Sequence, residues 1–397
     1  MRKTLQAINA LPFDYFPSYG QSLAGGHIGG YSVTLAQEYG AIGFDLNAST
    51  GPSPLIATSI SLTGSDGYGI PNARGENPTF GQAGMLGFLG VLGSPQTRRI
   101  ATGAQSYGST AIAALVKGQP NYAALIAQIT AAKAAGGSTM THRATAWYQG
   151  ESDTVYASYL SALTQLGTDL DTDSRAITGS GLSHYFISYQ TTTNNANTFA
   201  VPRAQLQASL DNALILISTP TYFMDFRGDS GGIHPVARDS KWLGAYAALA
   251  YKKRITDNVA YSCLRPVSST GAGTTTITLT FTGNVGNLVF DTTHMPAQTN
   301  MGFTAEDNVA AAITVNSVTI TGANTVQIVT AAAVPTGGAI KYAMNTVAGR
   351  SYYPGTATPF VQLGGGGNLR DSQGDTIFYT AINKRMDKWS VLFKWVV

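Results

Sequence analysis

The chain has 397 residues, of which 44% are hydrophobic and only 11% are charged, and its formal net charge is +3. This length favours two domains, and the hydrophobic fraction is sufficient for a real core. The small net charge and the absence of any run of Lys or Arg argue against nucleic-acid binding.

Signals for export, membrane insertion and metal binding are missing from the sequence. The basic start Met1-Arg2-Lys3 is not followed by an apolar segment, so no signal peptide is predicted. No stretch of about 18 apolar residues occurs, and therefore no membrane insertion is expected. The single cysteine, Cys263, excludes a disulfide framework, and no pair among the five histidines has metal-ligand spacing.

Strand and helix patterns alternate along residues 1–258. Apolar runs predict strands at 13–19, 99–103, 144–148, 185–189 and 221–226. Apolar residues at helical spacing predict helices at 82–92, 121–135, 156–170, 203–212 and 238–251. Alternation of this kind predicts a doubly wound parallel sheet. The intervening residues 45–80 are rich in Gly, Ser, Pro and Asn and are predicted to form a long loop beside the site.

The pattern changes after residue 258. Short runs rich in Thr, Val and Ile predict strands at 275–280, 288–291, 312–320, 326–329 and 339–343, with a closing strand at 388–397. Turn residues separate these runs, which predicts a smaller all-β, sandwich-like domain over residues 259–397. Residues 267–273 are predicted to be the junction between the domains, and residues 364–367 a flexible turn. The β-domain is expected to bind carbohydrate or to support oligomerisation.

A serine lies in a glycine turn directly after the first predicted strand, in Tyr19-Gly20-Gln21-Ser22. Small residues let the chain turn sharply and present a hydroxyl at the start of a helix. A serine nucleophile needs a base, and histidine is the usual one. His234, in Ile233-His234-Pro235, lies in a loop before the last predicted helix and is the candidate base. By itself Ser22 fits a helix N-cap equally well.

Two further segments place hydrogen-bond donors at the ends of predicted strands. In residues 103–110 the glycines permit a close backbone approach, and the Gly108 amide is available to an oxyanion. In residues 147–153 the Gln149 carboxamide supplies a further donor at a strand end.

These four segments, in this order, resemble the SGNH hydrolase superfamily and, more closely, its sialate O-acetylesterase-like carbohydrate esterases. The strings that carry the resemblance are Gly-Gln-Ser at 20–22, Tyr-Gly-Ser-Thr at 107–110, Gln-Gly-Glu-Ser-Asp at 149–153 and Ile-His-Pro at 233–235. The resemblance covers about residues 13–250. It implies a flavodoxin-like α/β/α domain without a cofactor that removes O-acetyl groups from glycans.

The resemblance also implies roles for individual residues. Ser22 would be the nucleophile and His234 the base, while the Ser22 and Gly108 amides and the Gln149 side chain would stabilise the oxyanion. The superfamily commonly has its acid three residues before the histidine, where this chain has Gly231. Asp229 is the nearest carboxylate and is predicted to orient His234. The alternative is a Ser–His dyad whose imidazole is oriented by a backbone carbonyl.

Six further residues are candidates for substrate contact: Gln21, Tyr107, Glu151, Arg74, Glu76 and His27. For Glu151 and its neighbour Asp153, hydrogen bonds that hold the loop around Gln149 are the competing explanation. His142 and His184 stand at the boundaries of predicted elements, and His294 lies in the β-domain.

Two other functions fit the same sequence. One is a general acyl or lipid esterase on this fold, although the loops here are polar and small. The other is a bacteriophage receptor-binding or tail module with weak or vestigial activity. That hypothesis predicts a location in the virion, otherwise in the cytoplasm or released without a signal peptide, and a homo-oligomer, a trimer if the chain is a tail protein.

Overall fold

The computed structural model describes residues 11–26, 33–34, 36, 38–43, 53–54, 76–192, 199–226, 233–345 and 364–397. Nine strands and six α-helices lie in the described part of residues 1–258. The strands are β1 (Phe13–Tyr15), β2 (Ser18–Gly20), β3 (Ile42–Gly43), β4 (Ser53–Pro54), β5 (Arg99–Thr102), β6 (Ala104–Ser106), β7 (Ala144–Tyr148), β8 (Tyr185–Gln190) and β9 (Ile215–Pro220). The helices are α1 (Ser22–Gly25), α2 (Pro78–Phe88), α3 (Pro120–Gly136), α4 (Tyr156–Thr178), α5 (Ala200–Asp211) and α6 (Ala237–Tyr251).

The strands β6, β2, β7, β8 and β9 form one parallel sheet in that order. A second sheet has the order β1-β5-β3-β4, and it continues the first because β1 precedes β2 and β5 precedes β6 along the chain. Counted along the chain, the five-stranded sheet has the order 2-1-3-4-5. In a sheet of this order the connections change sides beside the first strand, which leaves a crevice at the carboxyl ends of β2 and β7.

Both faces of the parallel sheet are covered by helices. All five residues of β7 are buried, which is typical of a central parallel strand. Successive side chains of β7 enter different cores, since Trp147 packs with the residues of α3 and α4 while Tyr148 packs with those of α2 and α6. This alternation follows from the two-residue period of a strand.

The strand predicted at 221–226 is wrong, because the fifth strand of the sheet is Ile215–Pro220, residues 221–224 form bends and turns, and Phe226 forms only an isolated bridge with Pro235. Tyr222, Phe223 and Met224 are nevertheless buried, and they pack between α6 and the C-terminal region. Their apolar pattern therefore reflects burial of an irregular segment and not strand pairing.

The C-terminal region is antiparallel. Its strands are β10 (Arg265–Thr270), β11 (Thr274–Thr282), β12 (Val289–Phe290), β13 (Phe303–Glu306), β14 (Ala312–Ile313), β15 (Val315–Gly322), β16 (Thr325–Val334), β17 (Ala339–Tyr342), β18 (Leu369–Arg370), β19 (Phe378–Tyr379), β20 (Lys384–Arg385) and β21 (Phe393–Val396). Two four-stranded sheets have the orders β10-β11-β16-β15 and β14-β13-β17-β21. The rings of Phe281 and Phe393 meet between them, with centroids 6.0 Å apart. The prediction of a parallel α/β region followed by an antiparallel β region is confirmed.

Two smaller predictions for this region are wrong. The predicted junction at 267–273 is largely strand β10, which pairs with β11. The predicted flexible turn at 364–367 is buried, and a Cβ on Gly365 would lie 1.6 Å from the carbonyl oxygen of Ala343. Close packing, and not flexibility, explains the run of glycines there.

The C-terminal region shares a core with helix α6. The Tyr246 hydroxyl donates to the Asp387 carbonyl at 2.7 Å, and Trp242 Nε1 donates to the Arg385 carbonyl at 3.2 Å. These contacts fix the outer face of the helix that follows His234. Within the described residues, no helix combines the length and the apolar character that a membrane crossing requires.

Candidate active site

The turn that carries Ser22 depends on a glycine at the carboxyl edge of the parallel sheet. Gly20 has φ +144°, and a Cβ there would lie 2.2 Å from the Tyr148 carbonyl oxygen. That same oxygen accepts a hydrogen bond from the Gln21 N–H at 3.0 Å. Only glycine therefore lets β2 turn this close to β7, and the turn places Ser22 at the first position of α1.

Ser22 and His234 are in direct contact. Ser22 Oγ lies 2.7 Å from Nε2 of His234, and both side chains are partly shielded from solvent. A hydroxyl within hydrogen-bond reach of an imidazole is the arrangement that activates a serine nucleophile. The structure thus brings together the two residues that the sequence proposes as nucleophile and base.

The segment that carries His234 is held from both sides. Val236 N donates to the Asp225 carbonyl at 2.9 Å, and Asp225 N donates to Asp239 Oδ2 at 2.7 Å. Asp239 lies in the first turn of α6 and is fully buried. Burial raises the pKa of this carboxyl, and the Lys384 ammonium, 3.2 Å away, lowers it. These contacts fix the direction in which the chain enters α6.

Gln21 is locked by its own hydrogen bonds and is only 2% exposed. Its Nε2 donates to Glu151 at 2.6 Å, and its Oε1 accepts from the Ser152 hydroxyl at 2.8 Å. Glu151 also accepts from the hydroxyls of Tyr189 and, at 2.7 Å, Thr191. Desolvation raises the pKa of Glu151, whereas these two hydroxyl donors lower it. In this arrangement Gln21 and Glu151 hold the nucleophile turn.

Tyr189 and Thr191 are site residues that the sequence did not reveal. Both stand at the carboxyl end of β8, beside the end of β7 that carries Gln149. Their position at the end of a buried strand indicates that they lie at the same edge of the sheet as Gln149. Their pairing with Glu151 depends on the register between β7 and β8, which only the structure supplies.

The turn that contains Gly108 lies beside the nucleophile turn. Tyr107 N donates to the Gly20 carbonyl at 3.0 Å, and the Ser106 hydroxyl donates to the Gln21 carbonyl at 3.0 Å. Within the described part of the chain, the N–H groups of Ser22 and Gly108 donate to no other group. Both are therefore available to a bound oxyanion.

The Gln149 carboxamide braces this turn. Its Nε2 donates to the Thr110 carbonyl at 3.1 Å and to Asp153 Oδ2 at 2.5 Å, and Ile112 N also donates to Asp153 Oδ2, at 3.0 Å. Because an amide nitrogen has two hydrogens, both donors of Gln149 are used. Gln149 reaches an oxyanion only by exchanging one of these bonds.

Two other candidates for substrate contact differ in exposure, and the predicted contact of Tyr107 stays a prediction. Glu76 is fully buried and accepts from Val33 N and Thr34 N at 2.9 and 2.8 Å. Lys241 Nζ lies 4.0 Å from the same carboxylate. Tyr107 is half-buried and donates to Gln105 at 2.8 Å. Glu76 is thus a buried anchor for the 33–34 segment, which is a correction to its expected place in a substrate-contact surface.

Three of the predicted site residues, Asp229, His27 and Arg74, lie outside the described residues, as does most of the predicted loop at 45–80. The group that orients the His234 ring therefore stays a prediction.

The other described histidines have structural positions. His142 and His184 are buried at the opposite end of the parallel sheet. The Nε2 atom of each forms a hydrogen bond with Thr145 Oγ1, at 3.1 and 3.0 Å. His294 contacts the Phe223 carbonyl at 2.9 Å within an aromatic cluster. Cys263 is buried, and burial raises the pKa of its thiol to about 11.

Part of the chain is similar to a known family of carbohydrate esterases. Residues 88–253 match the family model of the sialic acid-specific acetylesterases, which are carbohydrate esterases. The matched region is less than half of the chain. It contains Gly108, Gln149 and His234 but begins after Ser22. Ser22 is connected to the matched region by the 2.7 Å contact between its Oγ and Nε2 of His234. No significant match was found among curated proteins.

Solved structures similar to this chain include a carbohydrate acetylesterase from Xanthomonas citri, with a TM-score of 0.58 at 15% identity over 96% of this chain and 80% of that one. A protein from Arabidopsis thaliana has a TM-score of 0.45 at 18% identity over 60% of this chain and 98% of its own. NanS has a TM-score of 0.39 at 15% identity, over 56% and 82%. The Xanthomonas likeness shows the fold, and the family match supports a carbohydrate esterase.

Proposed function

We propose that this chain is a serine esterase of the SGNH type that removes O-acetyl groups from a bacterial surface polysaccharide or a sialic-acid-like sugar. The observation that carries the proposal is the 2.7 Å contact between Ser22 Oγ and His234 Nε2. The strand order 2-1-3-4-5, with both residues at the carboxyl edge of the sheet, and the family match over residues 88–253 support it.

The geometry supports a two-step mechanism. Ser22 Oγ attacks the acetyl carbonyl carbon while its proton passes to His234 Nε2. The oxyanion is held by the backbone N–H groups of Ser22 and Gly108, and by Gln149 after exchange of one hydrogen bond. The bond to the sugar oxygen breaks, and that oxygen takes the proton from His234. Water, deprotonated by His234, then attacks the carbonyl carbon of acetyl-Ser22. The bond from that carbon to Ser22 Oγ breaks, Oγ takes the proton back from His234, and acetate is released.

The proposal is tested by acetate release from O-acetylated glycans and by hydrolysis of 4-nitrophenyl acetate. We expect turnover by the parent protein and a loss of at least about 10³-fold in kcat for Ser22→Ala. Ser158→Ala, on the exposed start of α4, is the matched control and should be fully active. Absence of acetate release from every acetylated glycan by the parent protein would refute a carbohydrate esterase.

A further inference from the structure

A second cleft lies on the surface where the end of α2 meets residues 38–39 and strand β19. We call it the Tyr39 cleft. Its volume is about 330 Å³, within the range of small-molecule sites. It is lined by Glu38, Tyr39, Phe88, Tyr379, Thr380 and Ala381.

Tyr39 is partly exposed and has contacts with two other parts of the chain. Its φ is +50°, a left-handed conformation that is uncommon for an aromatic residue, and 46% of its surface is exposed. The ring lies against Gly87 of α2, where a Cβ would be only 2.3 Å from two ring carbons. Gln96 Nε2 also donates to the Tyr39 carbonyl, at 2.9 Å. Strained residues of this kind concentrate at binding sites, where the surrounding structure holds them in place.

A second exposed ring faces the same cleft. Phe88 is 37% exposed and lies 5.5 Å from the buried ring of Tyr379. The C–H groups on the face of a pyranose carry partial positive charge, and the face of an aromatic ring carries partial negative charge. Two exposed aromatic rings therefore make a more favourable contact with the face of a sugar ring than with water.

The lining of the cleft has one charged group, the Glu38 carboxylate. Its Oε1 lies 2.6 Å from Nζ of the buried Lys241, which also lies 4.0 Å from the buried Glu76, so one ammonium offsets part of the charge of two carboxylates. A carboxylate has about four acceptor positions, and the one paired with Lys241 leaves others for hydroxyl donors. The cleft thus has aromatic faces, hydrogen-bond acceptors and no cationic side chain in its lining, and the charge of Glu38 is partly offset by Lys241, which favours a neutral polyol over an anion.

We propose that the Tyr39 cleft binds a neutral sugar ring of the glycan chain that is deacetylated at Ser22. The proposal rests on the proposed function for the identity of this occupant. Asn77, at the start of α2, packs against Gly26 just after α1, and Phe88 is the last residue of α2. At 1.5 Å per residue this separates the cleft from the nucleophile turn by about 15 Å, so a single sugar cannot occupy both.

Two substitutions test the cleft, and one serves as the matched control. Tyr39→Ala and Phe88→Ala remove exposed rings from it. Phe378→Ala removes a ring that is 42% exposed on the opposite face of β19, outside the cleft. Binding of acetylated glucomannan and acetylated xylan is measured by affinity electrophoresis and calorimetry in the inactive Ser22→Ala background.

We expect Tyr39→Ala and Phe88→Ala each to weaken binding to at least one of these polymers about fivefold to tenfold, whereas Phe378→Ala has no effect. In the active protein the same two variants should raise KM for that polymer and leave kcat and the hydrolysis of 4-nitrophenyl acetate unchanged. Binding of O-acetylated polysialic acid, an anionic probe, should not depend on the cleft.

The proposal is overturned if the inactive protein binds neither neutral polymer, if both cleft variants bind as tightly as their parent, or if Phe378→Ala weakens binding equally. It is also overturned if only the anionic probe responds to the cleft variants. Failure of the proposed function is a separate result, because it appears as absent acetate release and not as a change in binding.

Discussion

Ser22 Oγ and His234 Nε2 lie 2.7 Å apart although 212 residues separate them along the chain. Ser22 follows β2, which is the first strand of the five-stranded sheet along the chain, and His234 precedes α6. The contact therefore forms only when the whole sheet and α6 are in place.

The Ser22–His234 pair should act as one unit. His234→Ala should lower kcat for 4-nitrophenyl acetate by at least about 10³-fold, because Ser22 loses its proton acceptor. The double variant Ser22→Ala/His234→Ala should be no worse than the poorer single variant, since removal of either partner disables the same step. Single-turnover kinetics on the three variants provide the measurement, and additive losses would contradict the pairing.

Asp153 should support the oxyanion donors without touching the substrate. Asp153→Ala removes the acceptor of both Gln149 Nε2 and Ile112 N. We expect kcat to fall about 10-fold to 100-fold with little change in KM, less than the loss of a whole donor. Asp153→Asn keeps an acceptor oxygen and should recover part of the activity. Equal losses in the two variants, or a change confined to KM, would count against this role.

Lys241 should contribute much more to stability than an exposed lysine does. It is 1% exposed, it donates to Glu38 and Thr34 at 2.6 and 2.7 Å, and Glu76 is nearby. Lys241→Met leaves buried carboxylate without its cation, and we expect the free energy of unfolding to fall by about 3 kcal/mol.

The matched control is Lys117→Met, whose lysine pairs with Asp173 at 2.7 Å but is 47% exposed. We expect Lys117→Met to lower the free energy of unfolding by less than about 1 kcal/mol. Urea unfolding of both variants gives the comparison. Equal costs would show that burial of Lys241 adds nothing.

The buried pair His142 and His184 should make stability depend on pH. Burial lowers the pKa of His142 to about 3 and lowers that of His184 as well. In the unfolded chain both pKa values return to about 6.5, so the unfolded state binds more protons between about pH 3 and pH 6.5. Stability is therefore greatest above pH 6.5 and falls as the pH is lowered through this range.

Unfolding in urea at several pH values from 4.5 to 7.5 measures this slope. Each buried histidine adds at most about 1.4 kcal/mol per pH unit. His142→Gln should remove the contribution of His142 to the slope of stability against pH and leave the contribution of His184. An unchanged slope in the variant would mean that His142 titrates normally in the folded protein.

The parallel sheet was predictable because its strands are covered on both faces and so read as unbroken apolar runs, as in β7 and β8. The same criterion failed at residues 221–226, where Tyr222 and Phe223 are buried without strand pairing. Two-residue strands such as β12 and β19 have no periodicity to detect, and they depend on tertiary contacts.

The candidate site was predictable in part. Turn glycines and the small number of histidines pointed to Ser22 and His234. The partners of Glu151 were not predictable, because the meeting of Tyr189 and Thr191 with that carboxylate depends on strand register. The role of Asp229, the domain boundary at residue 258, the phage-tail location and the trimer stay predictions.

The packing of residues 385–392 against α6 and β8 affects when the candidate site can form during synthesis. Asp387 and Arg385 cover Tyr246 and Trp242, and Leu392 exchanges two hydrogen bonds with Gln190 at the end of β8. During synthesis, the helix behind His234 therefore lacks its outer cover until residues 385–392 have left the ribosome. Hydrolysis that depends on the Ser22–His234 contact should consequently begin only after these residues have packed, and a rapid assay of it would report that step.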